Sequence, residues 1–308
     1  MSLLRAHLAD YLAVRRALGY RLARQEQLLG QFLDELDIQG VELITTADAL
    51  AWATKSPLAV HSHPKRLRAI RGFAKYLRSI EVPVEVPASD LLPERRRRAV
   101  PYLYSDAEIA ALIDAAGTLP TPHRVATFRT LIGLLAVTGM RRGEAIALDR
   151  NDFNPTTGVI TIRAGKFGKS RELPLHPSTV TALSSHLRRP DRLRSAGPDA
   201  TALLVRDDGR RLSESTVNHT FHALTLLAGL RPRSAECRPR LHDLRHTMAV
   251  RTLLDAYRCG APIGPRLVSL STYLGHSDPS FTYWYLDAAP ELMALATERL
   301  EQHLGGER

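Results

Sequence analysis

The string Thr138-Gly139-Met140-Arg141-Arg142-Gly143-Glu144 sits at a junction. The apolar run before it, VATFRTLIGLLAVTG, reads as a helix that stops at Gly139, a residue suited to the left-handed cap that ends many helices. An arginine then follows at once on the opening turn of the next element. Downstream, GVITIRAGKFGKSRELPL alternates with period two around a glycine-containing turn. Val159, Ile160, Ile162 and the Leu173-Pro174-Leu175 end predict a β-hairpin whose turn presents Lys166 and Lys169. From Ser178 the segments STVTALSSHL, SESTVNHTFHALTLLAGL, HDLRHTMAVRTLLDAY, RLVSLSTYLG and PELMALATERLEQHL carry helical periodicity. Upstream, Ser105-Asp106-Ala107-Glu108 has the capping-box pattern that opens a helix. Residues 105–308 therefore read as a mainly helical domain with one small sheet, ending in a helix over 290–304.

Residues 1–92 read as a separate helical domain. Leu4, Leu8, Tyr11, Leu12 and Leu18 fall near one face of a first helix, and Gln27 to Leu36 form the apolar-bearing middle of a second. Thr46 to Ala53 is a short third helix with Thr45 or Thr46 as its N-cap. A fourth, HPKRLRAIRGFAKYLRSI, buries Leu67, Ile70, Phe73, Ala74 and Leu77. Its other face carries Lys65, Arg66, Arg68, Arg71, Lys75 and Arg78, with no acidic residue from 61 to 79. A helix with one apolar and one wholly basic face suits a surface lined by phosphates. Between the domains, residues 93–104 read PERRRRAVPYLY. Prolines on both sides break helices, leaving a linker with the basic run Arg95, Arg96, Arg97 and Arg98. That run is either a solvated turn or a strap lying on phosphates.

Composition agrees with a polyanionic partner. The 308 residues carry 42 Lys and Arg against 32 Asp and Glu, a net charge of +10. The excess is +2 in 1–92, +3 in 93–104 and +5 in 105–308, so the short middle segment is the densest in positive charge. A hydrophobic share of 44% is enough for two cores and excludes a disordered chain. Two cysteines, Cys237 and Cys259, exclude a disulfide scaffold and a multi-cysteine zinc site. No apolar run is long enough to span a membrane, and the charged N-terminal segment lacks the core of a secretory signal. The expectation is a soluble, cytoplasmic protein with no membrane partner.

Several familiar chemistries have no motif here. There is no GxxxxGK[ST] loop, no strand–GxGxxG–helix unit and no G-x-S-x-G elbow. His242 and His246 stand four apart without the glutamate that a zinc-protease helix requires. What remains is a set of phosphate-directed groups. Taken in order they are T-G-M-R-R-G-E at 138–144, G-K-F-G-K-S-R-E-L-P-L at 165–175, H-D-L-R-H at 242–246, L-G-H-S-D at 274–278, and Tyr285 nine residues after His276. This ordered set resembles the tyrosine recombinase family, of the phage-integrase and Xer type. The resemblance spans Thr138 to Tyr285. The flanks agree in layout only: a helical domain like the family's core-binding module, and a C-terminal helix. AYRCGAPIGPRLVSLSTY, before the L-G-H-S string, departs from the family in being longer and richer in Gly and Pro.

The resemblance implies a mainly α fold with a small β-sheet: a helical N-terminal core-binding domain and an α+β catalytic domain. It implies a site of Arg141, Lys166, His242, Arg245, His276 and Tyr285. It further implies that DNA strands are cleaved and rejoined through a 3′-phosphotyrosyl intermediate, without ATP, metal or other cofactor. The residue types suit that reaction. Arginine stays protonated and offers phosphate a planar fork, so Arg141 and Arg245 would clamp the crowded phosphorus. The T-G-x-R spacing selects Arg141 over Arg142, and neighbours on a helix point about 100° apart. A phenol with an ordinary pKa of about 10 is mostly protonated at neutral pH, so Tyr285 needs a proton acceptor, a role that falls to His242. Lys166 would protonate the departing 5′-oxygen, and His276 would hydrogen-bond the scissile phosphate. Tyr283 is the internal rival for nucleophile.

The implied partners are double-stranded DNA, contacted by Lys65, Arg68, Arg71, Lys75, Arg95 and Arg96, and three further copies of the chain in a tetramer on paired sites. The helix over 290–304, with Leu292, Leu295, Ala296, Leu300 and Leu304, would pack on a neighbouring protomer or on its own domain. Two rival readings stay open at this stage. A type IB topoisomerase shares the chemistry but relaxes single duplexes. A catalytically silent DNA-binding regulator would explain the charge but not six reactive groups.

Overall fold

The structure is a computed structural model describing residues 3–20, 22–56, 60, 62–92, 100–163, 170–194, 199, 201–276, 278, 280–287 and 290–305. The chain divides into two compact units, Met1–Arg98 and Ala99–Arg308. It is mainly α-helical with one small sheet, as the sequence implies.

The first unit holds α1 (Leu3–Ala17), α2 (Ala23–Gln39), α3 (Thr46–Thr54) and α4 (His63–Ser79). Leu4, Leu8, Tyr11 and Leu12 of α1 meet Leu29, Phe32, Leu33 and Leu36 of α2 and Leu67, Ile70, Phe73 and Leu77 of α4 in one core. Each leucine fully removed from water contributes about 2 kcal/mol. Leu18 does not join it. The helix ends at Ala17, and Leu18 lies in the following turn, 66% exposed. Thr45 is the N-cap of α3, its hydroxyl accepting from the Asp48 N–H at 3.1 Å.

The second unit begins earlier than the sequence division at 105. Tyr102 and Tyr104, expected at the end of the linker, are each 2% exposed and belong to its core, because their rings need apolar cover that a solvated linker lacks. The elements follow as α5 (Asp106–Ala115), α6 (Pro122–Thr138), α7 (Arg142–Ala147), β1 (Phe153–Asn154), β2 (Val159–Ile162), β3 (Arg171–Pro174), α8 (Pro177–Leu187), α9 (Pro190–Arg194), α10 (Glu214–Leu227), α11 (Asp243–Arg258), α12 (Ile263–Leu274), α13 (Ser280–Asp287) and α14 (Pro290–Gly305). The Ser105–Glu108 capping box is formed in both directions, at 3.1 and 2.7 Å.

The expected hairpin is present as β2 and β3, paired antiparallel with Ile160 opposite Leu173. A third strand, the two-residue β1, extends it to the order β1-β2-β3. Lys166 and Lys169 lie outside the described residues, as do Arg95 and Arg96 of the linker. The Gly/Pro-rich stretch after α11 is short in three dimensions. The intervening turn is only 259–262, because α12 starts at Ile263 and takes Pro265 into its first turn, where a missing N–H costs nothing.

The helix that positions the site is α11. It packs against α6, α12 and α14, and buries Leu244, Ala249, Val250, Leu253 and Leu254. The start of α14 packs on this same unit, and the side chains of Ala296, Leu300 and Leu304 lie outside those described. Leu292 is 1% exposed in a cluster with Leu253, Leu254 and Leu270, Leu295 joins it, and Glu291 pairs with Arg258 at 2.5 Å. The alternation of that helix supplies an apolar stripe, and α11 offers the nearest apolar face.

Candidate active site

Two helix ends build the floor of the site. α6 terminates at Gly139 and α12 at Gly275, both left-handed, with φ of 58° and 66°. Such caps leave carbonyl oxygens without helical partners. Arginines satisfy them. Arg245 donates from Nη1 to the Gly139 carbonyl at 2.7 Å and from Nη2 to the Leu274 carbonyl at 2.7 Å. Arg141 donates from Nη2 to the Gly275 carbonyl at 3.0 Å. Residues some hundred positions apart in sequence are thereby fixed within one site.

Glu144 is the hub beneath them. One carboxylate oxygen accepts the Arg141 backbone N–H, opening α7, and the other accepts Arg141 Nη1, both at 2.8 Å. Arg171, at the start of β3, approaches with Nη1 and Nη2 at 3.1 and 2.8 Å, and its Nε reaches the Tyr273 carbonyl at 2.8 Å. Burial pushes the Glu144 carboxyl up. The hydrogen bonds and charges of Arg171 and Arg141 outweigh it and hold the pKa at about 2. Glu144 and Arg171 lie inside the quoted motifs, yet sequence reading gave them no role. The signal was their fixed spacing from Arg141 and from the hairpin lysines. Arg142, the competitor of Arg141, points elsewhere, to Asn218 and Glu214 on α10.

His242 is the N-cap of α11 and Arg245 lies three residues on, in its first turn. The surrounding protein and then Arg245, Arg240, Arg141 and Arg142 push the His242 imidazole below its ordinary range, although the residue keeps an exposed face that a substrate can reach. His246, one turn along, packs edge-on against His242 with ring centroids at 4.8 Å and against Tyr285 at 5.4 Å. Burial, then His242 and Arg240, bring His246 to about 3. His276 follows α12. Its Nε2 accepts from Arg245 Nη2 at 2.9 Å, its Nδ1 meets Thr282 Oγ1 at 2.8 Å, and its ring stacks on Tyr285 at 6.1 Å. Burial and then Arg245, Arg141 and Arg171 lower it to about 4.

Tyr285 sits on α13, a helix the sequence reading did not anticipate because its eight residues are too few for a clear period. It is 2% exposed, whereas Tyr283 is 55% exposed. Burial holds the Tyr285 phenol above its ordinary value, and Arg245, through charge and a hydrogen bond, and Arg141 offset part of that rise. Arg245, itself lowered by burial to about 10 and supported by the Tyr285 oxygen, stays cationic at neutral pH. The structure thus brings together Arg141, His242, Arg245, His276 and Tyr285. Among the described residues no cluster of His, Cys, Asp and Glu has the arrangement to hold a metal ion.

On α4 of the first unit, Lys65, Arg68 and Lys75 are exposed. Arg71 is not available in the same way. It curls back to donate from Nε to the Pro87 carbonyl at 2.7 Å and from Nη2 to the Ala88 carbonyl at 2.5 Å, because the segment after α4 needs its carbonyls satisfied. Arg66 lies over the Trp52 ring at 3.9 Å.

Residues 103–291 match the phage integrase family. Over 98% of both chains, this one is 40% identical to a Sinorhizobium fredii protein named as an integrase/recombinase, y4rB. It is 27% identical to the tyrosine recombinase XerC of Chlamydia pneumoniae, over 77% of this chain and 70% of that one. Among solved structures, the Tn1549 transposon integrase in complex with a circular intermediate DNA shares the fold. The TM-score is 0.63 at 16% identity, covering 97% of this chain and all of that one at 100%.

Proposed function

The chain belongs to the phage integrase family, the tyrosine recombinases, and is a site-specific recombinase; from that premise we propose that it cleaves and rejoins double-stranded DNA through a phosphotyrosyl link on Tyr285, with no metal or nucleotide. The observation that carries this reading is the burial of Tyr285 against Arg245, between His246 and His276.

In the proposed step, Arg141 and Arg245 hold the non-bridging oxygens of a phosphodiester, where charge builds as a fifth oxygen approaches. The Tyr285 oxygen attacks phosphorus. Its proton passes to His242, which is neutral at working pH and so has a lone pair to receive it. The bond to the 5′-oxygen breaks, and Lys166 supplies the proton that makes this a free hydroxyl, by resemblance to the family. His276 supports the same phosphate. The 3′-phosphotyrosyl ester keeps the energy of the broken bond. Attack by another 5′-hydroxyl therefore reverses the sequence, with no external energy. Exchange between two sites takes four such cleavages, hence four protomers on paired DNA. Lys65, Arg68 and Lys75 supply cations that fix the duplex without reading its sequence, joined by Arg95 and Arg96 of the linker.

The test uses end-labelled genomic fragments, phenol extraction and sequencing of the covalently retained ends. Wild-type protein and Tyr283→Phe are expected to retain fragments sharing one sequence, and Tyr285→Phe none. Adducts persisting in Tyr285→Phe would overturn the assignment. Retained ends of unrelated sequence would favour a topoisomerase.

A further inference from the structure

Residues 100–104 precede α5 without regular secondary structure and are bonded along their length to the loop before α11 and to α11 itself. The Val100 carbonyl accepts from Arg240 Nη2 at 3.3 Å, Pro101 from the Cys237 thiol at 3.6 Å, Leu103 from Arg233 Nη2 at 2.9 Å and Tyr104 from Arg251 Nη2 at 2.9 Å. In the other direction, the Tyr104 N–H donates to Thr247 Oγ1 at 2.9 Å and its phenol to the Arg240 carbonyl at 3.0 Å. This strap is a fixed part of the second unit.

One group joins it to the catalytic turn. Asp243 is 0% exposed and stands between His242 and Arg245 in sequence. The Arg240 fork holds both of its oxygens, each at 2.9 Å. The Tyr102 backbone N–H also stabilises its charge, and His246 Nε2 lies 3.9 Å from the same carboxylate. Thr247 completes the circuit: the hydroxyl that takes the Tyr104 N–H donates to the Asp243 carbonyl at 2.8 Å. None of these groups has a part in the proposed chemistry. With one partner 41% exposed to water, such an ion pair adds little to stability, so stability is a weak account of its place beside two imidazoles.

We propose that Asp243 is a positioning residue that registers His242 and His246 against Tyr285 by anchoring them to the strap 100–104. The inference rests on the phosphotyrosyl reading above. Loosening the strap would let the first turn of α11 drift, and a near-attack geometry is lost with small displacements. The effect should therefore fall on the rate of cleavage and not on DNA affinity.

The experiment measures single-turnover adduct formation at saturating DNA, on a nicked duplex carrying the sequence recovered from the retained ends. DNA affinity, thermal melting and amide exchange at Tyr102 and Tyr104 are followed in parallel. Asp243→Asn keeps the shape and removes the charge, and Arg240, 41% exposed, can turn to water. Expected are a rate at least about tenfold lower, faster strap exchange, and affinity within about twofold of wild type. A wild-type rate in folded Asp243→Asn overturns the proposal. Should that variant fail to fold, Thr247→Val decides on the same criterion: a loosened strap with undiminished cleavage overturns it, and slowed cleavage at unchanged affinity supports it. Absence of adduct in the wild-type control would instead count against the phosphotyrosyl reading itself.

Discussion

Arg245 Nη2 lies 2.9 Å from His276 Nε2, and a guanidinium can only donate. That nitrogen of His276 is therefore an acceptor, and the proton of the neutral ring sits on Nδ1, where Thr282 Oγ1 receives it at 2.8 Å. Without DNA, His276 is thus turned toward Arg245 as a base. To donate to a phosphate through Nε2 it must gain a proton or exchange tautomer. Long-range proton–nitrogen NMR correlation at neutral pH should show the Nδ1–H tautomer for His276. Thr282→Val should shift the population toward Nε2–H.

Gly275→Ala should damage both fold and site. The residue has φ of 66°, where an ordinary side chain costs about 1 kcal/mol. An added Cβ would also stand 2.8 Å from Arg171 Nη1, prying Arg171 from Glu144. Melting should fall by several degrees, about what 1–2 kcal/mol produces in a domain of this size. Cleavage should fall more than Gly229→Ala causes, a glycine with the same backbone strain and no nearby atom.

The histidines set an acid limit on stability. His246 and His276 are lowered to about 3 and about 4, from 6.5 in the unfolded chain. Between those values the unfolded chain binds more protons than the folded one, so stability rises with pH there and is lost as pH falls from about 6.5 toward 4. Urea melts across this range should show a falling midpoint. His246→Phe, which has no ring nitrogen to protonate, should flatten part of the slope.

The basic face of α4 should separate into two classes. Alanine at Lys65 or Lys75, both exposed, should weaken DNA binding with little change in melting. Arg71→Ala instead removes two bonds to the 87–88 carbonyls and should cost about 1–3 kcal/mol of stability. Filter binding and calorimetry on the same three variants check the division.

The fold was legible wherever pattern and chemistry coincide. Gly139, the Ser105–Glu108 box, the α4 apolar face and the β2–β3 hairpin each carry a local signal strong enough to survive tertiary packing. Elements below the length at which periodicity speaks were not: β1 has two residues and α13 eight. Among the candidate site residues, the motif spacing drew attention to those given a chemical role in the proposed function. It passed over Glu144, Arg171, Asp243 and Thr282, whose work is to hold others. Nothing in a linear string distinguishes a carboxylate that bonds two arginines from one that is merely solvated. Arg71 shows the converse limit: the string marks a cation on a basic face and does not tell that two of its donors go to carbonyls sixteen and seventeen residues away in chain.

Glu144 has a consequence beyond the geometry it enforces. An exposed arginine in solution gathers a loose atmosphere of small anions, and a nucleic acid that displaces them gains entropy, which is why such binding weakens as ionic strength rises. Arg141 and Arg171 already carry a resident counterion inside the protein, one that no backbone phosphate expels. A binding isotherm repeated across chloride concentrations would therefore count the outer cations in full and register this central pair as about one charge rather than two.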